Sequence, residues 1–133
     1  MRRLLVDTGP LVALANARDR RHREAAEFFK GYDGALATTL AIVTEVCALL
    51  PVHLAPKFLL GVEGSRFAVV HVPDQDLPAL ARLMEKYADR PMDFADATLL
   101  WLSEASGIRE IATFDSGFHI YRTPRGRALR VRF

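Results

Sequence analysis

Short apolar segments alternate with longer segments of helical spacing along the whole chain, and this alternation leaves few possible folds. Residues 3–7 read as a strand buried on both faces, because Leu4-Leu5-Val6 is apolar without alternation. Thr8-Gly9-Pro10 is expected to break the chain before an apolar helical turn at 11–15. Asp19 is placed to cap a helix reaching about Lys30, with Ala25, Phe28 and Phe29 inward and Gly31 at its end. Beyond the Asp33-Gly34 turn, residues 35–38 read as a strand. Thr39 then caps an apolar helix that Pro51 stops. A helix over 55–64 and a strand over 67–72 follow. Pro73-Asp74 opens a helix in which Leu77, Leu80, Ala81, Met84 and Tyr87 fall at helical spacing. Asp93 caps a helix over 94–106 closed by Gly107; residues 111–113 and 128–133 supply the last strands.

Strands separated by helices imply a parallel sheet covered on both faces, an α/β/α three-layer sandwich. A chain of 133 residues, half of them hydrophobic and about a quarter charged, fits one globular domain over 1–133. Neither a linker nor a repeat divides it. Arg2-Arg3 is followed by only three apolar residues before Asp7, too few for the core of a secretory signal. Glu45, Pro51 and His53 interrupt the longest apolar stretch, which argues against a membrane span. The single Cys47 excludes an internal disulfide and a cysteine-rich zinc site, and it fits a cytoplasmic protein with a buried structural thiol.

Within this frame, four acids stand where stability alone would not put them. Asp7 closes the first apolar run, and Glu45 is the only formal charge between Gly34 and Pro56. Asp96 lies at the start of an apolar helix, and Asp115 follows Ile111-Ala112-Thr113-Phe114. Burying an isolated carboxylate is costly unless it is neutralised or paired with a cation. Four such groups brought together would call for a divalent metal. Asp7 and Asp115 fall just beyond two strands, where open α/β sheets bind their ligands. The helix around Glu45 is apolar nearly all round, as a buried helix would be.

Each acid also has a bland reading. Asp7 and Asp115 suit turns, and Glu45 would suit a wet stripe or an arginine partner. Asp93 and Asp96 share one helical face, so both are able to approach a metal. N-capping accounts for Asp93 well, which leaves Asp96 as the preferred ligand. Thr8, Asp93, Thr113 and Ser116 are the candidates for supporting the acids through hydrogen bonds.

Other chemistries lack their residues. His22, His53, His71 and His119 show no HxxxH or HxH spacing, so a zinc hydrolase is unsupported and each reads as structural or exposed. GxSxG, GxxxxGK and GxGxxG are missing, and no second Asp stands two places after Asp7. Net charge is only +2, but of the 18 Lys and Arg residues only Lys30, Lys57 and Lys86 are lysines. Arginines cluster at Arg18, Arg20, Arg21 and Arg23, and again at Arg122, Arg125, Arg127, Arg130 and Arg132. Arg suits the bidentate grip of phosphate, although surface arginines also serve as ordinary solvated charges.

Three segments together resemble the PIN-domain ribonucleases, and specifically the VapC-type toxins of toxin–antitoxin pairs. They are Leu5-Val6-Asp7-Thr8-Gly9-Pro10-Leu11, Thr44-Glu45-Val46, and Met92-Asp93-Phe94-Ala95-Asp96-Ala97 continuing to Thr113-Phe114-Asp115. The resemblance spans essentially the whole chain. It implies a four- or five-stranded, mostly parallel sheet and a Mg2+- or Mn2+-dependent endoribonuclease that leaves a 5′-phosphate and a 3′-hydroxyl. It also implies that Asp7 and Asp96 are the primary metal ligands, with Glu45 and Asp115 completing the site partly through water. A VapB-like antitoxin partner is a further expectation from it, and the abundance of apolar helix surface makes a homodimer an expectation as well. Three alternatives stay open on the residues: a stand-alone PIN nuclease of RNA processing, a structure-specific DNA nuclease, and an inactive RNA- or protein-binding module.

Overall fold

The computed structural model describes residues 2–63 and 66–133. Five strands form one sheet: β1 (Arg3–Val6), β2 (Ala35–Thr39), β3 (Phe67–Val70), β4 (Glu110–Ala112) and β5 (Arg130–Arg132). Their order is β3-β2-β1-β4-β5, and every pairing is parallel. β1 is therefore central, with Leu5 beside Ala37 on one side and Ile111 on the other. Leu4, Leu5 and Val6 have no exposed surface, which is why this strand shows no polar alternation. Truncating one of them to Ala would cost about 2–5 kcal/mol.

Six helices make the connections: α1 (Thr8–Ala15), α2 (His22–Gly31), α3 (Leu40–Leu49), α4 (Ala55–Glu63), α5 (Leu77–Lys86) and α6 (Phe94–Ser106). The chain steps outward from β1 to β2 to β3, then crosses back to place β4 on the other side of β1. Right-handed connections on either side of that reversal send helices to opposite faces of the sheet. The expected α/β/α sandwich is the one found. The reversal also leaves a crevice beyond the carboxyl ends of β1 and β4, the usual ligand position in such folds.

Several local expectations are corrected. Thr8-Gly9-Pro10 does not break the chain but opens α1. Asp7 caps that helix with its own side chain, and Pro10 sits in the first turn, where a missing N–H costs nothing. Asp19 does not cap α2. Its carboxylate accepts from the Arg21 amide in the preceding turn, and the helix starts at His22 without a side-chain cap. Gly31 is the last helical residue rather than a stop beyond it. Gly64, expected to end the fourth helix, lies outside the described residues.

β3 ends at Val70, short of the expected Val72, and a 3-10 turn over Asp74–Asp76 precedes α5. The inward face of α5 is Leu80, Leu83 and Tyr87, with Met84 half-buried; Leu77 and Ala81 point outward. β4 begins at Glu110, and β5 is shorter than expected at both ends. α6 does end on Gly107, whose φ of 79° is the left-handed value glycine adopts without strain. α3 is not buried all round: Leu40 and Leu49 are exposed, as are Val52, Leu59 and Leu60 on or before α4. Among the described residues no helix is long and apolar enough to cross a membrane.

Candidate active site

Three helix N-termini meet at the carboxyl edge of the sheet. α1 follows β1 directly, α3 follows β2 directly, and α6 runs back toward the start of β4. A hydrogen bond between Thr39 Oγ1 and Thr98 Oγ1 at 2.7 Å ties the starts of α3 and α6 together. Thr39 also caps α3 by accepting from the Ile42 amide. Amides and helix dipoles at this edge favour negative charge. All four acids singled out in the sequence belong to these elements or to the loop after β4.

Asp7 is buried and sits at the centre. Its Oδ1 accepts from the Thr8 amide at 2.8 Å, and its Oδ2 accepts from Thr113 Oγ1 at 2.6 Å. The same Thr113 hydroxyl accepts from the Asp115 amide at 3.0 Å, so one side chain links the loop after β4 to the end of β1. Asp115 is exposed, and its Oδ1 accepts from the Gly117 amide at 2.8 Å. Glu45, half-buried on α3, accepts from Thr8 Oγ1 at 2.6 Å. Thr8 therefore serves two acids, Asp7 through its amide and Glu45 through its hydroxyl.

Asp93 and Asp96 form a reciprocal cap. Asp93 Oδ1 accepts from the Asp96 amide at 2.8 Å, and Asp96 Oδ2 accepts from the Asp93 amide at 3.3 Å. The cap uses one oxygen of each carboxylate, and the two carboxyls also act on each other directly. Asp93 is exposed and Asp96 half-buried, so Asp96 lies deeper toward the sheet.

The electrostatics show that these groups feel one another. Burial raises the Asp7 carboxyl to about 6; the bonds from Thr113 and Thr8 hold it down, while Asp115 and Glu45 push it up. Burial also holds Asp96 well above the usual carboxylate range, with the Asp93 and Asp7 charges adding to the effect. The Tyr121 phenol is raised chiefly by burial and then by Asp96, Asp115 and Asp93. Among the described residues no Lys or Arg forms an ion pair with Asp7, Glu45, Asp96 or Asp115. The carboxylates are tethered one by one, and no three acidic, His or Cys side chains of the described residues are grouped tightly enough to hold a metal jointly as they stand. The donor set is nevertheless one that suits a hard divalent cation: carboxylate oxygens, mutually repelling, with no cation between them.

Of the candidate supporting residues, Thr8, Thr113 and Asp93 all hydrogen-bond within the cluster. Ser116 is different: it is exposed at the start of a 3-10 turn, and its hydroxyl bonds to no described residue. His22 bonds the Ala13 carbonyl, while His53, His71 and His119 are exposed. Sequence reasoning missed Tyr121. It is buried against Phe118 and Tyr87, and its hydroxyl donates to the Pro91 carbonyl at 3.0 Å, bracing the loop before Asp93. Gly117 lets that ring approach, since a Cβ there would lie 2.9 Å from it. No local pattern announces such a contact; only the fold creates it.

Comparisons with known proteins agree with the fold. The crystal structure of VapC20 from Mycobacterium tuberculosis, a sarcin-ricin loop cleaving toxin, superposes with a TM-score of 0.73. It is 22% identical, over 84% of this chain and 89% of that one, a likeness that establishes the shared fold. A search of curated protein sequences finds no relative. The PIN-domain family model matches residues 4–124, a span that runs from β1 through α6 and the loop carrying Asp115, and the chain belongs to the PIN-domain family.

Proposed function

We propose that this protein is a divalent-metal-dependent endoribonuclease, with Mg2+ or Mn2+ held by Asp7 and Asp96 and the site completed by Glu45 and Asp115 through water. The observation that supports this reading best is the gathering of four carboxylates at one sheet edge with no described cation paired to any of them. The bound ion would supply an activated water and charge neutralisation at the scissile phosphate. The chain's own residues do the positioning. Thr113 and the Thr8 amide fix the Asp7 carboxylate, Thr8 Oγ1 fixes Glu45, and the Thr113–Asp115 bond sets the loop that carries the fourth acid. Asp93 caps α6 and thereby orients Asp96.

The shared fold with VapC20 supports a toxin role, with a cognate VapB-like antitoxin as partner. Exposed Leu49, Val52, Leu59 and Leu60 offer apolar surface of the kind protein partners cover. The deciding experiment incubates the purified protein with total RNA in Mg2+ or in EDTA and maps the cut ends by sequencing. Mg2+-dependent cleavage leaving 5′-phosphates is expected from the wild type. Cleavage that persists in EDTA, or that acts on DNA flaps and spares RNA, overturns the reading.

A further inference from the structure

We propose that Arg20 is a phosphate-contact residue that holds the RNA backbone beside the acidic site; this rests on the nuclease reading and assigns part of its substrate path. A cluster of carboxylates repels an anionic strand, so RNA that reaches it needs a cation close by but outside it. A cleft of about 580 Å3 opens next to Thr8, the residue bonded to both Asp7 and Glu45, and its other walls include Gly9, Arg20, Arg21 and Phe114. Phe114 immediately precedes Asp115, so this cleft adjoins the acids at two points.

The two arginines in the cleft are not equivalent. The Arg21 guanidinium lies 3.5 Å from the centre of the Phe114 ring and donates to both Glu24 oxygens, at 2.8 and 3.2 Å. Phe114 is pinned on Gly9, where an added Cβ would come within 3.0 Å of the ring. Arg21 is thus a fixed part of the wall, already neutralised. Arg20 is exposed, and its side chain has no ion pair or hydrogen bond with any described residue. Asp19 also lines the cleft, but its Oδ1 is bonded to the Arg21 amide and its charge acts on Arg21. Among the described residues the unpaired guanidinium in this cleft is that of Arg20, on a turn hydrogen-bonded through Asp19 to Asn16, Arg21 and His22.

The test uses the full chain in an Asp7→Asn background, so that RNA stays intact, with a fluorescent single-stranded oligoribonucleotide and Mg2+ present. Arg20→Ala is compared with Arg20→Lys and with Arg125→Ala, which removes an equal charge beside Glu104. Arg20→Ala is expected to weaken binding about three- to tenfold at low salt and to flatten the salt dependence by about 0.7 of a log unit per log unit. Arg20→Lys should recover most of the affinity, and Arg125→Ala should bind nearly as the parent does. With Asp7 restored, Arg20→Ala should raise KM and leave kcat close to wild type. Equal affinity and slope in Arg20→Ala, an equal loss in Arg125→Ala, or no RNA binding by the parent overturns the proposal. Failure of the wild type to cleave RNA refutes the nuclease reading separately, while the binding series still decides whether Arg20 holds phosphate.

Discussion

Glu110 and Asp115 lie at the two ends of one short stretch of chain, and the fold treats them in opposite ways. Glu110 opens β4 with Arg132 Nη1 at 2.9 Å and Arg2 Nη2 at 3.7 Å, a half-buried acid shared by two cations. Asp115, beyond the other end of that strand, has only an amide partner among the described residues, and its charge acts on Asp7. The same contrast separates Glu24 and Glu104, each beside an arginine, from Glu45 and Asp96, which have none among the described residues. Acids outside the carboxyl edge that are paired serve the fold, whereas acids at that edge are kept unneutralised at a cost to it. Such tension is tolerated because β1 and its flanking strands bury enough apolar surface to hold the edge in place.

Replacing the two kinds of acid should give the largest contrast. Asp7→Asn and Asp96→Asn are each expected to reduce RNA cleavage about a thousandfold, on the order of 4 kcal/mol in the barrier, since each removes a proposed metal ligand. Glu110→Gln should leave cleavage unchanged. Asp93→Ala should mainly lower stability, by about 1 kcal/mol through loss of the α6 cap, and retain most activity. Single-turnover cleavage of one RNA by all four variants checks this. A greater loss of metal binding in Asp93→Ala than in Asp96→Asn would exchange the roles of that pair.

Stability should move in the other direction at the carboxyl edge. The Asp7 carboxyl titrates at about 6 in the folded protein against an ordinary value of 3.8. Below about pH 4 both folded and unfolded chains carry the proton, and no penalty arises. As pH rises the unfolded chain ionises first, so stability falls until the folded carboxyl has also ionised, and the full penalty is present above pH 6. Asp7→Asn in EDTA should therefore be more stable than wild type at pH 8, by about 1–3 kcal/mol, with the gain vanishing near pH 4. Urea unfolding across pH measures it. Mg2+ should raise wild-type stability more than that of the variant, because only the wild type gains a relieving ligand. A variant less stable than wild type at pH 8 would show that Asp7 carries no such burden.

A smaller effect is expected at Thr113, whose hydroxyl holds Asp7 and the Asp115 amide at once. Thr113→Val should reduce cleavage about tenfold with the fold retained, the scale seen when groups supporting metal ligands are removed. Unchanged activity would mean that Asp7 and Asp115 hold their positions without it.

These contrasts were partly legible in the residues. Asp7 stood out because an apolar run without alternation can only be a buried strand, and Glu45 because it is the lone charge in its helix. Asp96 was harder, since the capping box gives both Asp93 and Asp96 a structural use. Thr8 and Thr113 were legible as supports for the acids, but their partners were not: Thr8 with Glu45, Thr113 with Asp7, and the unforeseen Tyr121 beneath the Asp93 loop depend on the sheet order. Helix exposure was misjudged for a related reason. Leu77 matches the spacing of its helix but is exposed, and α3 is apolar on a face that no described element buries.

The smallest effect belongs to the amino end of the sheet and tests the other half of the contrast. Glu110 is about a quarter exposed, Arg132 similarly so and Arg2 about half, so water screens their attraction. Glu110→Gln should lower stability by about 0.5–1 kcal/mol at low salt, and the deficit should shrink as ionic strength rises. Urea unfolding of the wild type and the variant at low and high salt would resolve it. A deficit that is large and indifferent to salt would mean that Glu110 acts through packing against β5 rather than through charge, and the paired acids of this protein would then serve the fold by their shape rather than by their ion pairs.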